Sequence, residues 1–195
     1  ADIIETCGIR EGENIFLAPK GLAEERIVNR FPYVDSVHVS FSIPDTIRIE
    51  ITQAKEGYLF KVDDTKYLII SSKGRILEEI TDKTGHDITI FIGHKLSSGK
   101  NIGDFVEYED DTVLEMINSI IKVFTDNGYQ GITEIDATDM ANITFTYNSR
   151  IRVKLGIPED LSYKIRTAMT IINGNIDVNP SNRRSEERFS RNAET

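Results

Sequence analysis

Residues 34–51 read VDSVHVSFSIPDTIRIEI. Val37, Val39, Phe41 and Ile43 alternate with His38, Ser40 and Ser42, and after Pro44-Asp45-Thr46 the alternation resumes with Ile47, Ile49 and Ile51 around Arg48 and Glu50. A period of two gives each run one apolar and one polar face, so the stretch predicts a β-hairpin turning at Pro44 to Thr46. A lone two-stranded ribbon is marginal in water, so its apolar face needs a cover. That cover lies upstream. Residues 21–30 predict a helix with Leu22, Ala23, Ile27 and Phe31 on one side, and Pro32 stops it. Asp2 to Cys7 reads as the end of another helix, and GIREGENIF (8–16) as the loop between them.

After Gln53 the pattern changes to a longer ribbon. GYLFKVD (57–63), KYLIISSKGRILEEI (66–80) and DITIFIG (87–93) predict strands, with a tight turn at Ser72-Lys73-Gly74. Val113, Leu114, Met116, Ile117, Ile120, Ile121 and Phe124 then mark one face of a helix. Thr112 with Glu115 predicts a capping box at its start, and Gly128 a left-handed cap at its end. GITEIDA (131–137), ITFTY (143–147) and RIRVKLG (150–156) predict three more strands. A second helix, Glu159 to Ile172, carries Leu161, Ile165, Ala168, Met169 and Ile172, and Asn173-Gly174 ends it. NIDV (175–178) reads as a last short strand. The fold class expected is therefore α+β. Residues 1–53 form a helix-covered hairpin, 54–179 a mixed β domain with two helices, and 180–195 a polar, disordered tail. A hinge is expected near Gln53 to Gly57.

Composition removes several function classes. The formal net charge of −9 argues against nucleic acid, which requires a cationic face. The acidity is spread, with net −4 over residues 1–53 and −6 over 54–179. Cys7 is the single cysteine, so an internal disulfide and a Cys-based zinc site are both excluded. No apolar run approaches the ~20 residues that span a bilayer. The chain opens in what reads as the middle of a domain, as a piece of a longer protein would.

Candidates for chemistry are few. His38 sits on the polar face of a predicted strand, His86 and His94 flank another, and no pair has metal-ligand spacing. Glu107-Tyr108-Glu109-Asp110-Asp111 lacks the alternating oxygens of a calcium loop and is better placed to meet the positive end of a helix. Ser97-Ser98-Gly99-Lys100 lacks the preceding glycine of a phosphate loop. Cys7 reads as a packed thiol, and the Asn142-Ile143-Thr144 sequon lies inside a predicted strand. With 32 acids in the chain, some carboxylate pair is always at hand, so pairs carry little weight for glycoside hydrolysis. The residues predict no enzyme, no metal and no cofactor.

The ordered set of segments is more specific than any one of them. Gly8, Gly12, Asn14, Ile15 and Phe16 precede a helix, and Pro32, Tyr33 and Val34 lead into a hairpin closed at Pro44 and Thr46. Tyr67 to Ile70 and Gly74 to Leu77 then open the second ribbon. This order resembles the FtsQ/DivIB family of bacterial cell-division proteins, over roughly residues 3 to 178. Gln53-Ala54-Lys55-Glu56 stands where the family often has an acidic-basic-Lys-Pro run, and Ser71 where an Asp is common.

The resemblance implies a POTRA domain at 1–53, lacking its first strand, followed by the β domain. It implies a non-enzymatic scaffold held on the outer face of the cytoplasmic membrane, at the division septum, by an N-terminal helix absent from this chain. It also implies binding of FtsL and FtsB/DivIC partners and a role in positioning the septal peptidoglycan synthase. The family's contact with FtsB/DivIC aligns with Asn175, Ile176, Asp177 and Val178. Two rival readings stay open: a POTRA-type module of a protein-transport system, and a cell-wall hydrolase.

Overall fold

The computed structural model describes residues 2–10, 12, 14, 18–42, 44–93, 95–98 and 101–175. Helices α1 (Ile3–Cys7) and α2 (Lys20–Arg30) precede the hairpin β1 (Val34–Ser42) and β2 (Thr46–Gln53). The strands pair antiparallel, with Val37 opposite Ile51, Val39 opposite Ile49 and Phe41 opposite Ile47, so the alternating residues share one face. Ala23 and Ile27 of α2 are fully buried against that face with Cys7 and Val39. Leu22, expected on the packed side, is exposed, and Val28 packs in its place. Glu24 adds a polar fastening: its carboxylate accepts the Val39 amide at 2.7 Å, occupying a backbone donor on the free side of β1.

The second part is built on a seven-stranded mixed sheet. Its strands are β3 (Glu56–Lys61), β4 (Tyr67–Ser71), β5 (Ile76–Ile80), β6 (Ile90–Ile92), β9 (Ile132–Asp136), β10 (Ile143–Tyr147) and β11 (Ile151–Gly156). The order across the sheet is β11-β10-β9-β6-β3-β4-β5, with parallel pairing only around the short central β6. A small ribbon, β7 (Leu96–Ser98) with β8 (Glu107–Tyr108), stands apart and was not signalled by any periodicity. Helix α3 (Asp111–Asp126) leads into β9, and α4 (Leu161–Asn175) follows β11.

Period two sorts the sheet's residues onto its two faces. Tyr58, Phe60, Leu68, Ile70, Phe91, Ile135, Ile143 and Phe145 meet Val113, Ile117 and Ile120 of α3 and Leu161, Ile165 and Met169 of α4. Leu59, Ile69 and Leu77 point the other way and pack with Ala54 and the partly buried Tyr33. The start of α3 differs from expectation. Asp110, not Thr112, is its N-cap, accepting the Thr112 amide at 2.9 Å and its hydroxyl at 2.6 Å. Asp reaches this role because its carboxylate both bonds the free amides and meets the helix dipole. The end is as expected. Gly128 is left-handed (φ 64°), and the Tyr129 amide reaches back to the Phe124 carbonyl at 2.9 Å.

The expected hinge region, 53–57, is tied by backbone bonds. The Ala54 amide donates to the Tyr33 carbonyl and the Ser72 amide to the Lys55 carbonyl, both at 2.9 Å. Gly57, expected to allow bending, lies in β3, where a Cβ would stand 2.9 Å from the Ser72 nitrogen. Glycine is there for close approach of two backbones.

Inside the core, the Tyr58 and Tyr108 hydroxyls bond one another at 3.0 Å, and both side chains are buried. Burial pushes the Tyr58 phenol up to about 12, and burial also raises Tyr108. Each hydroxyl is the other's partner, so Tyr108→Phe should cost about 1–3 kcal/mol by isolating Tyr58. The double Tyr58→Phe, Tyr108→Phe variant should lose clearly less than the sum of the two single losses. A double-mutant cycle in urea measures this, and simple additivity would contradict the pairing.

Three surface turns repeat one chemistry. Asp63 accepts the Thr65 amide and hydroxyl, Asp82 the Thr84 hydroxyl and amide, and Asp139 the Asn142 side-chain amide and the Ala141 amide. These bonds hold all three carboxylates below their ordinary value of 3.8. A depressed folded value stabilises fully above the ordinary value, and the gain disappears as pH falls through the folded one. The melting temperature should therefore drop between about pH 5 and about pH 3 more steeply in the native chain than in a triple Asp→Asn variant at these positions. Parallel acid curves would contradict this.

Candidate functional site

Both ends of the large sheet are edge strands, and the chain treats them differently. At β5 the segment before β8 folds over the edge. The Gly103 amide donates to Ile76, the Ile76 amide to Asp104 and the Val106 amide to Gly74, each at 2.8 Å. That strand also carries Glu78, which accepts the Tyr33 hydroxyl at 2.9 Å, and Glu79, paired with Lys66 at 3.1 Å. Charges and a covering segment are two ways to prevent unwanted strand pairing.

At the other end, β11 pairs with β10 alone among the described residues. Its alternation is regular: Ile151, Val153 and Leu155 turn toward the core, and Arg152 and Lys154 are exposed. The β10–β11 turn places Asn148 (φ 49°) and Ser149 (φ 54°) in the left-handed region, closed by the Arg150 amide on Tyr147 at 3.0 Å. Two positive φ values are what a tight hairpin with the natural strand twist requires. The turn is also tied to β9, through the Asn148 amide on Gly131 at 2.6 Å and the Ser149 amide on the Thr133 hydroxyl at 3.2 Å. Among the described residues this edge is open, and its turn is tied to β9.

The residues expected to bind a partner follow directly. Helix α4 packs against β11, burying Leu161, Ile165, Met169 and Ile172. It runs through Asn173 and Gly174, where the sequence predicts its end, and Asn175 is its last residue. A glycine near a helix end costs only ~1 kcal/mol, which packing of the preceding turns offsets. Ile176, Asp177 and Val178 lie outside the described residues.

No catalytic set comes together among the described residues. His38 is exposed, 3.7 Å from Glu24, and His86 pairs with Glu56 at 3.3 Å; His94 lies outside the description. Cys7 is buried and donates its thiol to the Ile4 carbonyl at 3.0 Å. Asn142 of the sequon bonds Asp139, and Ser97 donates to the Glu107 carbonyl at 3.1 Å. No group of three or more His, Cys, Asp or Glu among the described residues could hold a metal. A cleft of about 460 Å³ opens where β6 is too short to separate β3 from β9, between Gly57, Thr89, Gly131, Phe124 in the last turn of α3 and Tyr129 beyond it. Asp87 is the one carboxylate lining it, and no histidine, cysteine or lysine joins it there.

No described helix is long and apolar enough to cross a membrane. Residues 1–53 match the family of POTRA domains of FtsQ type, and residues 59–184 match the C-terminal domain of cell division protein FtsQ/DivIB. The chain is 25% identical to cell division protein DivIB of Clostridium botulinum over 87% of its length, spanning 65% of that relative. It is 27% identical to cell division protein FtsQ of Corynebacterium glutamicum, again over 87% of its length and across 71% of that protein. Against the major extracytoplasmic domain of Geobacillus stearothermophilus DivIB the TM-score is 0.39 at 11% identity, covering 66% of this chain and 99% of that one. With the second match alone taking in well over half of its residues, the chain, an α+β protein with a POTRA domain and a β domain, belongs to the FtsQ/DivIB family of bacterial cell-division proteins.

Proposed function

We propose that this chain is the extracytoplasmic part of a membrane-anchored, non-enzymatic division scaffold that binds FtsL and FtsB/DivIC-type partners at the septum and helps position peptidoglycan synthesis. Residues 1–53 serve as its POTRA domain, and 54–179 carry the partner site. The observation that supports this most is the contrast between the two sheet edges. Both edges carry charged residues, but the start of β5 is covered by residues 103–106, whereas β11 is open on its outer side among the described residues and held by a tied-down turn. An open edge offers a row of backbone donors and acceptors to an added strand, and alternate side chains supply selectivity. Asn175 ends the helix that packs on β11, and Ile176, Asp177 and Val178 follow it in the sequence. In this reading they extend the edge and take the partner's strand.

Two variants test it: Ile176→Lys, and truncation after Asn175, which leaves α4 intact. Binding of the extracytoplasmic segment of a DivIC-type partner should weaken by about tenfold or more in each, with circular dichroism unchanged. Unchanged affinity in both folded variants would overturn the assignment. Release of muropeptides from purified peptidoglycan would overturn the non-enzymatic reading.

A further inference from the structure

Arg75 follows the β4–β5 turn and is only 7% exposed. Its guanidinium donates to three carbonyls from three separate elements. Nη2 reaches Val28 of α2 at 2.7 Å, Nη1 reaches Val34 of β1 at 3.0 Å, and Nε reaches Gly103 at 2.7 Å. Two of these acceptors belong to the helix–hairpin part and one to the β domain. The first acceptor has a cause in the sequence. A helical carbonyl at position 28 would normally take the amide of residue 32, but residue 32 is proline and has none. Val34 lies at the β1 irregularity, where the register shifts between Val34 and Ser36. Asp35 and Asp104 stand close enough to act on the guanidinium electrostatically, and Asp35 also pairs with Lys73 at 2.7 Å.

We infer that Arg75 is an orientation lock, holding the POTRA and β domains at one fixed angle so that they act as a single body. The guanidinium is suited to this because its donors form a rigid planar fork, whereas a lysine offers one mobile point charge. Interfaces between domains are by default mobile unless large and apolar. Here the apolar contact is small, centred on Ala54, Leu59, Ile69 and Leu77 with Tyr33, and the three-way fork adds the direction. The lock is independent of where partners bind.

Double electron–electron resonance between labels at exposed Glu50→Cys on β2 and Thr170→Cys on α4, in a Cys7→Ala background of the whole chain, reads the angle directly. The native Arg75 protein should give one narrow distance distribution. Arg75→Ala should broaden it by roughly twofold or more while circular dichroism stays native. Arg75→Lys, which keeps the charge and loses the fork, should broaden it as well, and it serves as the test if the alanine variant does not fold. A narrow distribution in either folded variant, or a broad one in the native chain, would overturn the lock. Adding Pro32→Ala to Arg75→Ala restores an amide donor at position 32 and lets α2 lengthen toward Val28, so thermal stability should partly recover while the distribution stays broad. Return of the narrow distribution would show that Arg75 merely caps α2, and would overturn the lock too.

Discussion

The carbonyl of Val28 cannot be satisfied within its own helix, because the residue one turn on is Pro32. The carbonyl is part-buried, and a donor from elsewhere in the chain reaches it. That donor is Arg75, 47 residues away in sequence, and the same side chain takes Val34 and Gly103. Around that point the rest of the junction assembles. Lys73 meets Asp35, Tyr33 meets Glu78, and the Tyr33 carbonyl takes the Ala54 amide. Burial first, and then the Glu78 carboxylate, raises the Tyr33 phenol, so it remains a neutral donor across the physiological range. A helix terminator at residue 32 thereby becomes part of the join between two domains.

The elements that bury one face were plain in the sequence. Val37, Val39, Phe41 and Ile47, Ile49, Ile51 alternate without interruption, and they pair in the register that this alternation demands. Val113, Met116, Ile117, Ile120 and Phe124 repeat at helical spacing, and all five are buried. What stayed hidden depends on contacts distant in the chain or on short elements. The β7–β8 ribbon has three and two residues, too few for any period to register. The Asp110 cap and the Thr112 capping box differ by two residues, and both amino acids favour the role, so only the helix geometry separates them. Arg75 looked like any charged residue beside a turn. The clue was Pro32, whose missing amide leaves an acceptor looking for a donor, although it does not say which donor arrives.

The site's place in the fold was not legible: the sequence points to a last short strand at 175–178, whereas Asn175 closes α4 and the sheet among the described residues ends at β11. The extent of α4 was not legible, since Asn173-Gly174 carries a strong stop signal that the packed face of Leu161, Ile165, Met169 and Ile172 carries the helix past. The protection of β5 by residues 103–106 was also invisible, being made by backbone bonds from a stretch without periodicity. It is this protection that distinguishes the two edges.

The central claim is that the helix–hairpin part and the seven-stranded sheet form one rigid body fastened at Arg75. Residual dipolar couplings test it most directly, because they report the orientation of every backbone amide in one aligned sample. Couplings from α2, β1 and β2 should fit the same alignment tensor, in magnitude and direction, as those from α3, β9 and β10. Two different tensors, with the smaller magnitude belonging to the hairpin part, would contradict it.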